Sequence, residues 1–387
     1  MTIINAVHAN GFSKALKINH IKARRASFIF MLILGFLLPM PILACTSFAR
    51  AEFGLVGHNY DFFYSHGALF WNPAGLIKEG LKDSAGDVSS VWHSKYASLT
   101  VNQFGRELPT SGMNTQGLSV ILLWNEEGKF GEVDPTKTPV LSELQWIQYQ
   151  LDQFSTVKEV IENLEKVRIH KAYAELHYVV CDAQQSCALI EFAESGPLIY
   201  ADQQFNPPVI TNHSLPSSSA FYSQYRALKY ADIPAKKHSL NYFAQAAWLV
   251  EHQPIRHTNE LFDALDKVKV DYGFSDIFAW LFKGKPPSVT AWQVVYQTQE
   301  QKIYFKTRDN QKLRWIDLNE ISSVNQAKSL DIERGEGNVS SLLHSDWQAE
   351  NERIIRASYK PLEKEFPVEM QNELMQYPET FKAVDTK

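Results

Sequence analysis

Three cysteines in 387 residues are too few for a disulfide-built scaffold, and no Cys-x-x-Cys pair is present to hold zinc or a redox couple. Also missing are the Gly-x-Ser-x-Gly elbow, the Gly-x-Gly-x-x-Gly dinucleotide turn, the Gly-x-x-x-x-Gly-Lys-Ser/Thr phosphate loop and the His-Glu-x-x-His helix. These absences remove the ordinary serine-hydrolase, nucleotide and zinc readings. The twelve histidines are scattered, and His177 in LHYVV reads as a strand residue, so no metal and no other cofactor is expected. Residues 1–44 contain no acidic side chain but carry Lys14, Lys17, Lys22, Arg24 and Arg25. Taking those five from 38 basic residues leaves 33 against 43 acidic ones, a net charge near −10 that repels nucleic acid and anionic membrane.

What is present begins with FIFMLILGFLLPMPILA, Phe28 to Ala44, placed after the basic residues. This is the n-region, h-region and cleavage-site order of a secretory signal, so residues 1–44 are expected to be removed and the mature protein to be periplasmic or secreted. An uncleaved anchor is the alternative, but the apolar run is short for a span and Pro39 and Pro41 interrupt its end. Cleavage after Ala44 exposes Cys45, and two chemistries want a cysteine there. Ile42-Leu43-Ala44-Cys45 resembles a bacterial lipobox, in which Cys45 is lipidated and its amine acylated. In an N-terminal-nucleophile hydrolase the free α-amine is instead the general base for its own thiol. The two exclude each other. Cys181 and Cys187 bracket the turn DAQQS and fit either a cross-strand disulfide or two buried thiols.

Hydrophobic residues make up 45% of the chain and aromatics 12%, enough for a large core, and no repeat or linker divides residues 45–321. SLTVNQ, GLSVILLW, LHYVVC and CALIEF are β-branched or aromatic runs with the strand signature. LSELQWIQYQLDQF has helical spacing, and Thr156 with Glu159 three residues later predicts a capping box opening a helix through Val167. SLNYFAQAAWLVEH and TNELFDALDKV read as helices, then VTAWQVVYQ, KIYFKT and RWIDL as strands. This order predicts an α+β fold of two stacked sheets sandwiched by helix layers. Residues 325–387 form a charged, partly helical extension, in which WQAENERIIRASYKPLEKEF is either an amphipathic helix docked on the body or a solvated tail.

Six segments in order carry a resemblance: CTSF, then GHNYDF, then SKYASL with GMNTQGLSVILLW, then LSELQWIQYQLDQFSTVKEVIENL, then VITNHS, and last VTAWQVVYQTQEQKIYFKTRDNQKLRWIDL. From Cys45 to about Ile321 the sequence resembles the choloylglycine hydrolase family of linear amide hydrolases, most of all its Gram-negative penicillin V and N-acylhomoserine lactone acylase branch. The resemblance implies a four-layer αββα N-terminal-nucleophile hydrolase domain over residues 45–324. It also implies that Cys45 is the nucleophile and its amine the base, that Asp61 orients the amine, and that Asn212 helps form the oxyanion hole. Trp124 stands where that branch carries tryptophan and bile salt hydrolases carry asparagine.

Two positions depart from the family. His58 stands where an arginine is usual, beside Asn59 in the Asp61 motif, and its protonated form is expected to substitute in part. In FYSQYRA only Arg226 matches the downstream arginine pattern, and the loop from Asn212 to Arg226 is short, which leaves open whether the chain forms the homo-oligomer of its relatives. Phe62, Phe63, Tyr64, Phe70, Trp71 and Trp124 are candidates for an apolar acyl pocket, half of them expected in the core. The expected function is hydrolysis of a neutral or lipid-like small N-acyl amide, with the membrane a partner only if Cys45 is lipidated. The alternatives are a lipidated periplasmic protein of the same fold without amidase activity, and an acid-ceramidase or acyltransferase-like relative.

Overall fold

The computed structural model describes residues 45–384 apart from 83–86, 236–237, 272–287 and 365; the signal-peptide reading of residues 1–44 lies outside the described residues. The sequence LVGHNYDF, Leu55–Phe62, is buried along its whole length. It lies at the middle of a seven-stranded sheet, flanked by Thr46–Arg50 on one side and Val289–Gln297 on the other. Val209–Ile210 continues that sheet beyond Thr46–Arg50; Lys302–Thr307, Arg314–Asp317 and Gly337–Asn338 complete it at the other edge. A second, eight-stranded antiparallel sheet runs in the order Gly196–Ala201, Cys187–Ala193, Leu176–Cys181, Ser119–Trp124, Pro109–Asn114, Ser98–Asn102, Ala68–Asn72 and Lys328–Asp331.

The sheets face each other. Tyr296 of the first donates to Ser111 Oγ of the second at 2.7 Å, and Gly117 (φ +79°) passes so close that a Cβ there would lie 2.3 Å from the Thr298 carbonyl oxygen. Helices Ser239–His252 and Thr258–Lys267 cover the outer face of the first sheet, and Glu143–Gln153 covers that of the second. The result is the expected αββα sandwich.

Local chemistry sets the helix ends. Ser142 caps Glu143–Gln153 by accepting from Gln145 N at 3.3 Å. Thr156 caps the next helix as predicted, but that helix is Val157–Glu162 rather than reaching Val167. Asn163 Nδ2 donates to the Glu159 carbonyl at 2.6 Å where the chain turns into the 3-10 segment Leu164–Lys166. Likewise Trp347–Tyr359 stops short of Phe366, because Pro361 has no N–H to continue it; a second helix, Val368–Gln376, follows. This terminal pair packs on the body, with Ile354 and Ile355 fully buried. Cys181 and Cys187 face each other across the hairpin and are disulfide-bonded, which decides between the two readings of that pair.

Candidate active site

Cys45 precedes the strand Thr46–Arg50 and is 4% exposed, the one free cysteine among the described residues. Its Sγ accepts from the Asp61 backbone N–H at 3.4 Å and lies 3.7 Å from the Asp61 carbonyl oxygen, so thiol and Asp61 are locked at neighbouring strand ends. Burial first, and the charge of Asp61 second, raise the thiol far above its ordinary range, so in this form it is protonated.

Asp61 is aimed by its other neighbour. Opposite Tyr60 and Asp61 the strand Val289–Gln297 bulges, pairing Trp292 with Tyr60 and Thr290 with Asp61 and leaving Ala291 extra. Such bulges re-aim side chains beside active sites. Thr290 Oγ1 donates to Asp61 Oδ1, while Oδ2 is buried with no hydrogen-bond partner among the described residues. Burial pushes the carboxyl up to about 8; the Thr290 bond works against the rise and nearby Asp271 adds to it.

Asn212 reaches the same point from the other side. Ser47 pairs with Ile210 and Phe48 with Val209, so continuing that antiparallel register two residues sets Asn212 opposite Cys45. Its backbone is clamped: its N–H donates to Ser239 Oγ at 2.8 Å and its carbonyl accepts from Glu126 N at 2.8 Å. A cleft of about 590 Å³ opens beside Cys45 and Asp61, lined by Tyr60, Phe62, Phe104, Trp124 and Tyr173 among others.

Cys45 and Asp61 thus lie on the wall of an apolar cleft, and the strand register sets Asn212 opposite Cys45. Residues 45–328 fit the profile of the linear amide C-N hydrolases, choloylglycine hydrolase family. The chain belongs to that family. It is 25% identical over 323 residues to penicillin V acylase of Pectobacterium atrosepticum, covering 72% of this chain and 82% of that protein. The structure superposes on penicillin V acylase from Agrobacterium tumefaciens with TM-score 0.64 and 24% identity, over 78% of this chain and 97% of the other. A variant of conjugated bile acid hydrolase from Clostridium perfringens gives 0.63 at 18% identity, over 76% and 98%. These two likenesses speak for the fold; the family profile makes the chain a linear amide C-N hydrolase.

Not every residue that the family resemblance singled out comes to the cleft. Strand alternation sends His58 between the sheets, where it is fully buried, 3.1 Å from Ser111 Oγ and stacked near Tyr296. Burial lowers its pKa to about 3, so it is neutral and does not stand in for the arginine cation, contrary to the expectation from its position. Asn59 points the opposite way, donating to the Leu265 carbonyl of Thr258–Lys267 at 3.0 Å and accepting from Gln293 Nε2 at 3.0 Å. It anchors a helix. Arg226 follows the helix Leu215–Tyr222 onto the surface and pairs with Glu251 at 2.8 Å, its side chain 64% exposed. Of the six aromatic candidates, Phe62 and Trp124 line the cleft, whereas Phe70 and Trp71 are wholly in the core.

Four residues at the site escaped sequence reasoning. Thr290 orients Asp61 from 229 residues away. Glu143, at the start of its helix, accepts from the backbone N–H groups of Ala172, Tyr173 and Ala174 at 2.8, 2.7 and 3.0 Å, holding the loop that presents Tyr173 to the cleft. Tyr359 and Phe366 come from the terminal helical region. Among the described residues no group of three or more His, Cys, Asp or Glu is arranged to hold a metal ion, and no helix is long and apolar enough to cross a membrane.

Proposed function

We propose that this chain hydrolyses a small N-acyl amide through Cys45, after a cut behind Ala44 has freed its α-amino group. In the freed form that amine takes the thiol proton, and Sγ attacks the amide carbonyl carbon. The carbonyl electron pair moves to oxygen, and the Asn212 side-chain amide donates to that oxyanion, a contribution of roughly 3 kcal/mol in the transition state. As the pair returns, the C–N bond breaks, the ammonium hands its proton to the leaving nitrogen, and an acyl thioester remains on Cys45. Water, deprotonated by the same amine, attacks the thioester; the carboxylic acid leaves and the thiol is regained.

The observation that carries this reading is Asp61 Oδ2. That oxygen is buried with no hydrogen-bond partner among the described residues, and beside Cys45 an α-ammonium would supply one and draw the carboxyl into its charged form. The signal-like stretch Phe28 to Ala44 supports the cut, and with it a periplasmic or secreted mature chain. The penicillin V acylase relatives point to an N-acyl amide, and the apolar cleft to an uncharged or lipid-like acyl half.

The test is intact-mass analysis of the protein from a Gram-negative envelope, with turnover on phenoxyacetyl amides, N-acylhomoserine lactones and fatty-acyl amides. A mass for residues 45–387 with Cys45-dependent turnover is expected. An acylated Cys45, or turnover that survives Cys45→Ala, would sink the reading.

A further inference from the structure

The family profile ends at residue 328, yet the chain beyond it returns to the cleft. Tyr359, Leu362, Phe366, Met370, Glu373 and Leu374 all line it. Two of these complete an aromatic arc. Phe62, next to Asp61, meets Phe104 edge-on with ring centroids 5.7 Å apart; Phe104 meets Tyr359 at 5.7 Å, and Tyr359 meets Phe366 at 5.0 Å. Phe366 then meets Tyr173 at 6.0 Å, and Tyr173 meets Trp124 at 6.0 Å. Each spacing is that of a favourable aromatic pair. Without Tyr359 and Phe366 the arc is broken between Phe104 and Tyr173.

The wall that supplies them is fixed in place. Asn351 Oδ1 accepts from Arg106 N at 2.7 Å, and Arg353 donates to the Gly67 carbonyl at 2.9 Å. Tyr377 donates to the Glu79 carbonyl and accepts from Gln145 Nε2, both at 2.8 Å, and Lys382–Ala383 pairs with Leu76–Ile77 as an added strand. These attachments reach four separate parts of the body. A segment held at so many points is a built surface of the site.

We propose that the terminal segment Trp347–Gln376 is the specificity-determining wall of the acyl pocket, and that the acyl group it accepts is an extended, uncharged hydrocarbon chain. This rests on the amide-hydrolase reading of Cys45. Of the two halves of an amide, the leaving amine takes up a proton and becomes polar, so the acyl half belongs against the aromatic arc. Each methylene buried there is worth about fourfold in kcat/KM, so the position of the wall sets the chain length at which that gain stops.

The experiment is a series of p-nitroanilides from butyryl to tetradecanoyl, measured on the mature protein, on Phe366→Ala and on Met370→Trp, with circular dichroism as the folding control. Met370 is 41% exposed at the cleft, so a larger side chain there leaves the core packing alone. The wild type is expected to gain about fourfold per methylene up to an optimum. Met370→Trp moves that optimum to shorter chains, and Phe366→Ala lowers the dodecanoyl-to-butyryl ratio of kcat/KM about tenfold. Folded variants with the wild-type chain-length profile would overturn the proposal. If no anilide is cleaved, or cleavage survives Cys45→Ala, the amide-hydrolase reading fails and the wall is judged by binding alone. Dodecanoate titrated into the Cys45→Ala protein and followed by tryptophan fluorescence then weakens with Phe366→Ala if the wall exists; equal affinity overturns it.

Discussion

Of the buried carboxylate sites among the described residues, the one at Lys78 is built on a cation, whereas Asp61 has no cation within salt-bridge distance among them. Lys78, itself fully buried, stands 2.6 Å from Glu107 and 3.0 Å from Asp152. Trp92 Nε1 and Gln148 Nε2 each donate to Asp152 at 2.8 Å, and Arg106 lies 3.6 Å from Glu107. Asp61 is as deeply buried but has a threonine hydroxyl on one oxygen and, among the described residues, no hydrogen-bond partner on the other. The first group sets cations against its enclosed charges, although Glu107 Oε1 accepts no hydrogen bond among the described residues. The second has no such cation among the described residues and lies next to a thiol, which on the proposed reading is where the freed amine would stand.

Four substitutions test the contrast between the two sites. The largest effect is expected from Cys45→Ala, which should lower turnover by on the order of ten-thousandfold with the fold intact; residual activity near wild type would make the Asp61 carboxylate irrelevant to chemistry. Next is Lys78→Met, which strands two carboxylates and should cost about 3–5 kcal/mol in urea unfolding. A loss well under 1 kcal/mol there would mean that the Lys78 group is as dispensable as a surface pair.

Asp61→Asn should separate function from stability. Turnover should fall roughly a hundredfold or more, as for loss of a group that orients a base. In the form with Ala44 still attached, the folded carboxyl keeps its proton to about pH 8 whereas the unfolded one releases it near its ordinary value. The folded chain therefore binds the extra proton in that window, and stability declines as pH rises from about 4 to about 8. The asparagine variant should lose that slope; a slope unchanged by the substitution would show that the carboxyl is not strained.

The smallest effect belongs to His58→Gln. With its folded pKa lowered to about 3, His58 contributes stability present above its unfolded value and lost as pH falls toward 3. At pH 5.5, about one unit below the ordinary histidine value, the wild type should have lost about 1.4 kcal/mol that the glutamine variant keeps. Abolished turnover in that variant at neutral pH would restore the cationic role that its burial argues against.

The strands and most helices were legible because they rest on local patterns: alternating β-branched runs such as LHYVVC, and Ser142 and Thr156 as caps. Asp61 and Asn212 were legible only through their place in ordered motifs of the family, since an aspartate or asparagine in a turn looks the same without it. Thr290 was not legible at all. Its role depends on a bulge at Ala291, and nothing in VTAWQVVYQ marks where a strand will gain an extra residue. His58 misled because position in a motif says nothing of which face a residue takes once strand alternation is imposed. The helix at 347 was visible as an amphipathic pattern, but the surface that receives it, around Arg106 and Gly67, comes from the far end of the chain.

That last attachment has a consequence for biosynthesis. Cys45 is synthesised early, while Tyr359, Phe366 and Leu374 of the cleft it borders come more than 300 residues later. A ribosome that has made nine-tenths of the chain has produced Cys45, Asp61 and Asn212 but not the Tyr359, Phe366 and Leu374 wall, so the cleft is the last part of the body to be completed.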